Sequence, residues 1–253
     1  MKTWKKIVAI ILMAMVLVII LNGCNKESSH VVDSTTEALL SNCRLEVTEF
    51  FDERGIDISK KISTIKNTYV YKQSDADASG YYETDTGNLY LEESAIEDEN
   101  TTRYVYIHML MYYLLVPDGS SLITEFIADT IADDILGYSL NSDDVMQGFC
   151  HQILIADPDI IEYMIRGGVI DNRIDKRLSS SLTRKNHIKY SEILDVLLKS
   201  ITFSADTLGV YSVTSSIEQS QAIISAYCES FELSAEQRKK LDLYVITDIS
   251  IVP

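Results

Sequence analysis

Proline, tryptophan, histidine and cysteine are all scarce in this chain, at 3, 1, 4 and 4 of 253 residues, and there are only 10 glycines. So little Pro and Gly excludes collagen-like, Pro-rich and low-complexity architectures, and no internal repeat is present. No Gly-rich phosphate loop and no G-x-S-x-G elbow occurs, which removes the sequence signatures of P-loop nucleotide binding and of serine-hydrolase chemistry. Basic residues are short too, 22 against 38 acidic, for a net charge of −16. A surface of that sign repels phosphate backbones, so nucleic acid is not an expected partner.

What the chain has at its start is a leader. Lys2, Lys5 and Lys6 precede an unbroken apolar run from Ile7 to Leu21, followed by Leu21-Asn22-Gly23-Cys24. A run of that length is a signal-peptide core, short for a comfortable membrane span. The tetrapeptide resembles a bacterial lipobox, although Asn22 is an unusual residue at its place. The resemblance implies cleavage after residue 23, acylation of Cys24 and a protein held at the extracytoplasmic face of a cell membrane; the alternative is an uncleaved N-terminal anchor. Two or three acyl chains on one Cys anchor far more firmly than one. Losing residues 1–23 removes three Lys and no acid, leaving 19 basic against 38 acidic residues, a net −19. Cys43, Cys150 and Cys228 then remain, and three thiols leave at least one unpaired. Residues 24–33 read as the lipidated Cys and a polar tether, and 34–253 as one domain.

The most informative stretch is Tyr104 to Asp129, YVYIHMLMYYLLVPDGSSLITEFIAD. His108-Met109-Leu110-Met111-Tyr112 is followed, seventeen positions after His108, by Glu125-Phe126-Ile127-Ala128-Asp129. The block resembles the two active-site helices of thermolysin-like zinc peptidases, the gluzincins, which carry H-E-x-x-H and E-x-x-x-D. Two His four apart on a helix reach one zinc, a third ligand comes from a neighbouring helix, and the Glu beside the first His takes a proton from the metal-bound water. Here Met109 replaces that Glu and Tyr112 the second His. A thioether accepts no proton, and a Tyr binds metal only as phenolate, against its ordinary pKa of about 10. The residual candidates for a metal are His108 and Glu125. The resemblance gives Asp129 the role of holding the His108 ring by its other nitrogen, a bond that needs no metal. The plainer reading makes His108 a core histidine and puts Glu125 and Asp129 on a solvated helix face.

Elsewhere the pattern is mixed α+β and mostly helical. Ser34-Thr35-Thr36-Glu37 reads as a capping box opening a helix with Leu39, Leu40, Cys43, Val47, Phe50 and Phe51 on one face and Gly55 at its end. Ile56 to Lys72 reads as a strand. Gly80 to Leu91 reads as a hairpin around Thr86-Gly87-Asn88, part of a small antiparallel sheet packed on the motif helix. In zinc peptidases such an edge strand lies along the cleft and pairs with extended substrate. Helices are expected up to Gly137, then from Ser142, from Asp157-Pro158 to Gly167-Gly168, near 170–182 and 190–201, and over 216–229 and 235–244, with a strand or loop across 204–215. Arg184 to His187 reads as a solvated turn.

Three functions stay open. One is a lipid-anchored, peptidase-like domain without catalysis that binds an extracellular peptide or protein, with no cofactor. Another is an active zinc hydrolase with an unusual site. The last is a helical assembly lipoprotein unrelated to peptidases.

Overall fold

The computed structural model describes residues 29–72, 79–83, 85–116, 121–138, 144–181, 189–207 and 210–246. The lipobox with Cys24, the Pro117-Asp118-Gly119 break, Ser142 and the Arg184–His187 patch lie outside them.

The chain begins with a two-residue strand, β1 (His30–Val31), and continues into α1 (Ser34–Asp52), the short α2 (Ser59–Ile62), and three strands, β2 (Thr68–Tyr71), β3 (Gly80–Glu83) and β4 (Asn88–Glu92). A single 3-10 turn (Glu93–Ile96) leads into α3 (Glu99–Leu115), which carries His108. Seven further helices follow: α4 (Leu122–Leu136), α5 (Asp144–Ala156), α6 (Ile160–Ile165), α7 (Ile170–Ser181), α8 (Tyr190–Thr207), α9 (Val210–Glu229) and α10 (Ala235–Leu241). The expected class, α+β with a small N-terminal sheet and a helical C-terminal half, is the observed one.

Several local expectations are corrected. The sheet is mixed, in the order β1-β2-β4-β3, because β2 and β4 run parallel while the outer pairs are antiparallel. The parallel pairing comes from the return after β2: the hairpin enters at its far edge, so β4 lies beside β2 and β3 outside it. Residues 30–31, expected in the tether, add the edge strand β1, with His30 opposite Val70. Ile56 to Lys72 holds the α2 turn before its strand. The first helix is capped one residue earlier than the Ser34 box suggests, by Asp33, whose carboxylate accepts from the Thr36 amide at 2.7 Å. Residues 204–207 and 210–215 are helical, not strand or loop. The Gly87 turn is confirmed, with φ +70° and its amide bonded to the Glu83 carbonyl.

Helix α3 lies at the centre. It is apolar nearly all round, and Tyr106, Ile107, Leu110, Met111 and Leu115 are fully buried. A helix with no solvent stripe must be covered on every side. The sheet and α1 cover one flank, α4 another, and α6 reaches it as well. Asp98 caps its start, accepting from the Thr101 amide at 3.0 Å. Gly80, the first residue of β3, is pressed onto it: a Cβ there would stand 2.2 Å from the Met109 sulfur and 3.0 Å from the Tyr90 carbonyl.

The helical half has its own polar anchor. Asp157, with its side chain 2% exposed, receives a two-pronged bond from the Arg173 guanidinium and a 2.6 Å bond from the Tyr227 hydroxyl. It ties the α5–α6 junction to α7 and α9. Burying a carboxylate costs several kcal/mol and is tolerable only with such a partner set. Asp157→Ala is therefore expected to destabilise the fold by about 3–5 kcal/mol, because Arg173 keeps its charge and loses its partner. Urea unfolding followed by circular dichroism measures this; a loss below about 1 kcal/mol would mean that the triad carries no such weight.

Candidate functional site: an imidazole held between two aspartates

Position four residues apart on facing antiparallel helices builds the site. On α3 the residues are Tyr104, His108 and Tyr112, and on α4 they are Glu125, Asp129 and Asp133; residues at i and i+4 share a face. His108 Nδ1 lies 2.8 Å from Asp129 Oδ1, and its Nε2 lies 3.2 Å from Asp133 Oδ1. The Tyr112 hydroxyl donates to the other Asp129 oxygen at 3.2 Å. The Gln147 amide, from α5, donates to the other Asp133 oxygen. The Tyr104 ring lies over the imidazole, centroid to centroid 4.2 Å. The side chains of His108 and Asp133 are 13% and 11% exposed and that of Asp129 is 29%, so water screens the Asp133 contact less than the Asp129 one.

A neutral imidazole donates from one nitrogen only. With a carboxylate at each nitrogen, the ring satisfies both bonds when it is doubly protonated. Burial works against that charge, but the hydrogen bonds and charges of Asp129 and Asp133 outweigh it and lift the His108 pKa above its ordinary 6.5. Burial first, then the charges of Asp129 and Glu125, push the Tyr112 hydroxyl well above its ordinary value. Tyr112 is thus a firm proton donor to Asp129 and no phenolate ligand. Glu125 is held above the usual carboxylate range by burial and by the charges of Asp129 and Asp195. Asp195, from α8, accepts from the Ile123 amide at 3.3 Å and caps the start of α4.

Of the residues singled out in the sequence, His108 and Asp129 meet as the motif implies. Glu125 lies beside Asp129 and Tyr112, but its side chain forms no hydrogen bond or ion pair among the described residues, and the second partner of His108 is Asp133. Met109, 6% exposed, faces the sheet at Gly80 and belongs to the core. Sequence reasoning missed Asp133. Its signal was the recurrence of acid every four residues at 125, 129 and 133, one turn beyond the E-x-x-x-D pattern. Cys150 and His151 are adjacent in sequence and point apart: Cys150 is buried, whereas His151 Nε2 reaches Asp134 at 3.0 Å and its ring stacks on Tyr244. Cys43, Cys150 and Cys228 are all buried and form no disulfide.

Zinc is the metal the resemblance implies, and the donor set does not fit it. Each nitrogen of His108 that would face a metal already faces an aspartate. The position of the second His is a protonated phenol hydrogen-bonded to Asp129. Among the described residues no group of three or more His, Cys, Asp or Glu is arranged to hold a metal ion. Asp133 in this arrangement takes the place at Nε2 that a metal would need, so electrostatic attraction joins the two helices directly.

No family model matches the chain, and no curated protein or solved structure matches it.

A raised folded-state pKa means that the folded protein binds the His108 proton more tightly than the unfolded chain does. The stabilisation is complete below the unfolded value of about 6.5 and is lost as pH rises through the higher folded value. Unfolding free energy is expected to fall from pH 6 to pH 9, and to fall less in His108→Gln. Equal slopes in the two proteins, read by urea titration at each pH, would show that the ring carries no charge in the fold.

Proposed function

We propose that this chain is a membrane-anchored lipoprotein, acylated at Cys24, whose domain binds an extended peptide or protein on the extracytoplasmic side without hydrolysing it. The frame resembles a zinc peptidase from which the chemistry has been removed. The observation that carries this reading is the pair of carboxylates on His108. A ring that donates a proton from each nitrogen, one to each carboxylate, has no lone pair left for a metal or for a substrate proton. Met109, where the peptidase base would stand, is packed on Gly80.

The binding half of the proposal rests on the sheet. Among the described residues β3 is an edge strand of the sheet, paired to β4. An edge of this kind accepts an added strand through backbone hydrogen bonds. The edge meets the middle of the motif helix, at Val105 and Met109, through Gly80, and extended substrate lies along such an edge in the proteins it resembles. No helix among the described residues is long and apolar enough to cross a membrane, and the proposed attachment is through the lipid.

Two measurements test the parts separately. Cys24→Ser is expected to lose the acyl mass by mass spectrometry and to move from the membrane fraction to the soluble one. That soluble form, incubated with unfolded casein, is expected to retain it without cutting it. Chelator-sensitive cleavage, abolished by His108→Ala, would overturn the non-catalytic reading.

A further inference from the structure

We propose that the lipid anchor fixes the orientation of the body, so that the end of the sheet carrying Tyr71, Lys72, Ser79 and Glu92 faces the headgroup surface of the bilayer. The inference rests on acylation of Cys24 and adds to it which surface the membrane meets.

It follows from where β1 docks. Only five residues, 25–29, separate Cys24 from His30. A chain spans at most about 3.3–3.6 Å per residue, so His30 lies no further than about 22 Å from the acylated residue. A body of residues 34–253 has a radius of gyration of about 17 Å and is about 44 Å across. The tether is half that width, so the body cannot turn over beneath it. A tether running freely to residue 33 would have been longer; the pairing of β1 with β2 takes its last residues into the sheet.

The register says which end is held. β1 runs antiparallel to β2, with His30 opposite Val70 and Val31 opposite Tyr69. The chain entering β1 therefore comes from beside Tyr71 and Lys72. β4 runs parallel to β2, with Glu92 opposite Tyr71, and Glu92 bonds to the Ser79 carbonyl, so the same end continues across the sheet. The other end, with Asn67, Asn88 and Gly87, points away. Lys66, just before β2 and bonded through its amide to the Gly87 carbonyl, is at that far end, six residues and about 20 Å along the strand direction from Lys72. Glu92, Glu93 and Glu97 make the near end acidic, with Lys72 paired to Glu93 at 2.8 Å. Among the described residues no cationic patch at this end draws it onto anionic lipid. The covalent tether alone sets the orientation, and the expected surface is one of zwitterionic headgroups.

The test uses the full-length acylated protein in phosphatidylcholine vesicles doped with a nickel-chelating lipid. A nitroxide is placed at Lys72→Cys or at Lys66→Cys, both exposed. The native Cys43, Cys150 and Cys228 are buried and stay unlabelled. Relaxation of the label by the headgroup nickel is expected to be several-fold stronger at 72 than at 66. A flexible Gly-Ser insert of about twenty residues after Ser28 is expected to remove the difference. Equal relaxation at the two sites in a protein that sediments with the vesicles overturns the orientation and leaves the anchor standing. A difference that survives the long insert overturns the tether as its cause. A protein that does not sediment overturns the acylation reading, and the orientation with it.

Discussion

Helix α3 has to be buried on all sides, and that constraint organises the rest of the molecule. A helix without a polar stripe is stable only inside a shell, so the sheet, α1, α4 and α6 are arranged about it. The one polar row it has, Tyr104, His108 and Tyr112, then falls inside the shell as well. Polar groups taken from water must find partners there. For His108 and Tyr112 the acids of α4 at four-residue spacing supply them. An imidazolium between Asp129 and Asp133, braced by Tyr112 and Gln147, is the way this protein satisfies a histidine that its packing obliges it to bury.

The same contacts account for the residues around His108. The Tyr112 hydroxyl fills the second oxygen of Asp129, and Asp133 fills Nε2 of His108. Met109 puts an apolar, unbranched side chain where β3 comes closest, against Gly80. Each of these side chains serves the packing of α3 against its neighbours. The second buried acid, Asp157, follows the same logic far from the motif: its charge is matched by Arg173 and its remaining capacity by Tyr227. In both places the acidic excess of the chain is spent on structure as well as on the surface.

Much of the fold was legible because local signals are strong in this sequence. The helices at α1, α4, α6 and α10 carry caps or glycine stops, and Ser234 with Gln237 forms the capping box at α10 in full. The hairpin was readable from Thr86-Gly87-Asn88. The parallel pairing of β2 with β4 was not readable, because nothing in two short strands records which edge a third will take. Nor was β1: two residues carry no periodicity, and only the open edge of β2 makes His30 and Val31 a strand.

The sequence by itself determined the class of the fold and placed His108, Glu125, Asp129 and Asp133 at helical spacing on two neighbouring helices, since these depend on residue type and short-range spacing. It also determined that Asp129 has the reach to hold His108. Only the tertiary structure decided that Asp133, not Glu125, takes the other nitrogen. Which of three acids on one helix face meets a given ring depends on the axial offset of α4 against α3. That offset is set by the packing of side chains between the two helices and by the Asp195 cap on α4, all of which are long-range contacts.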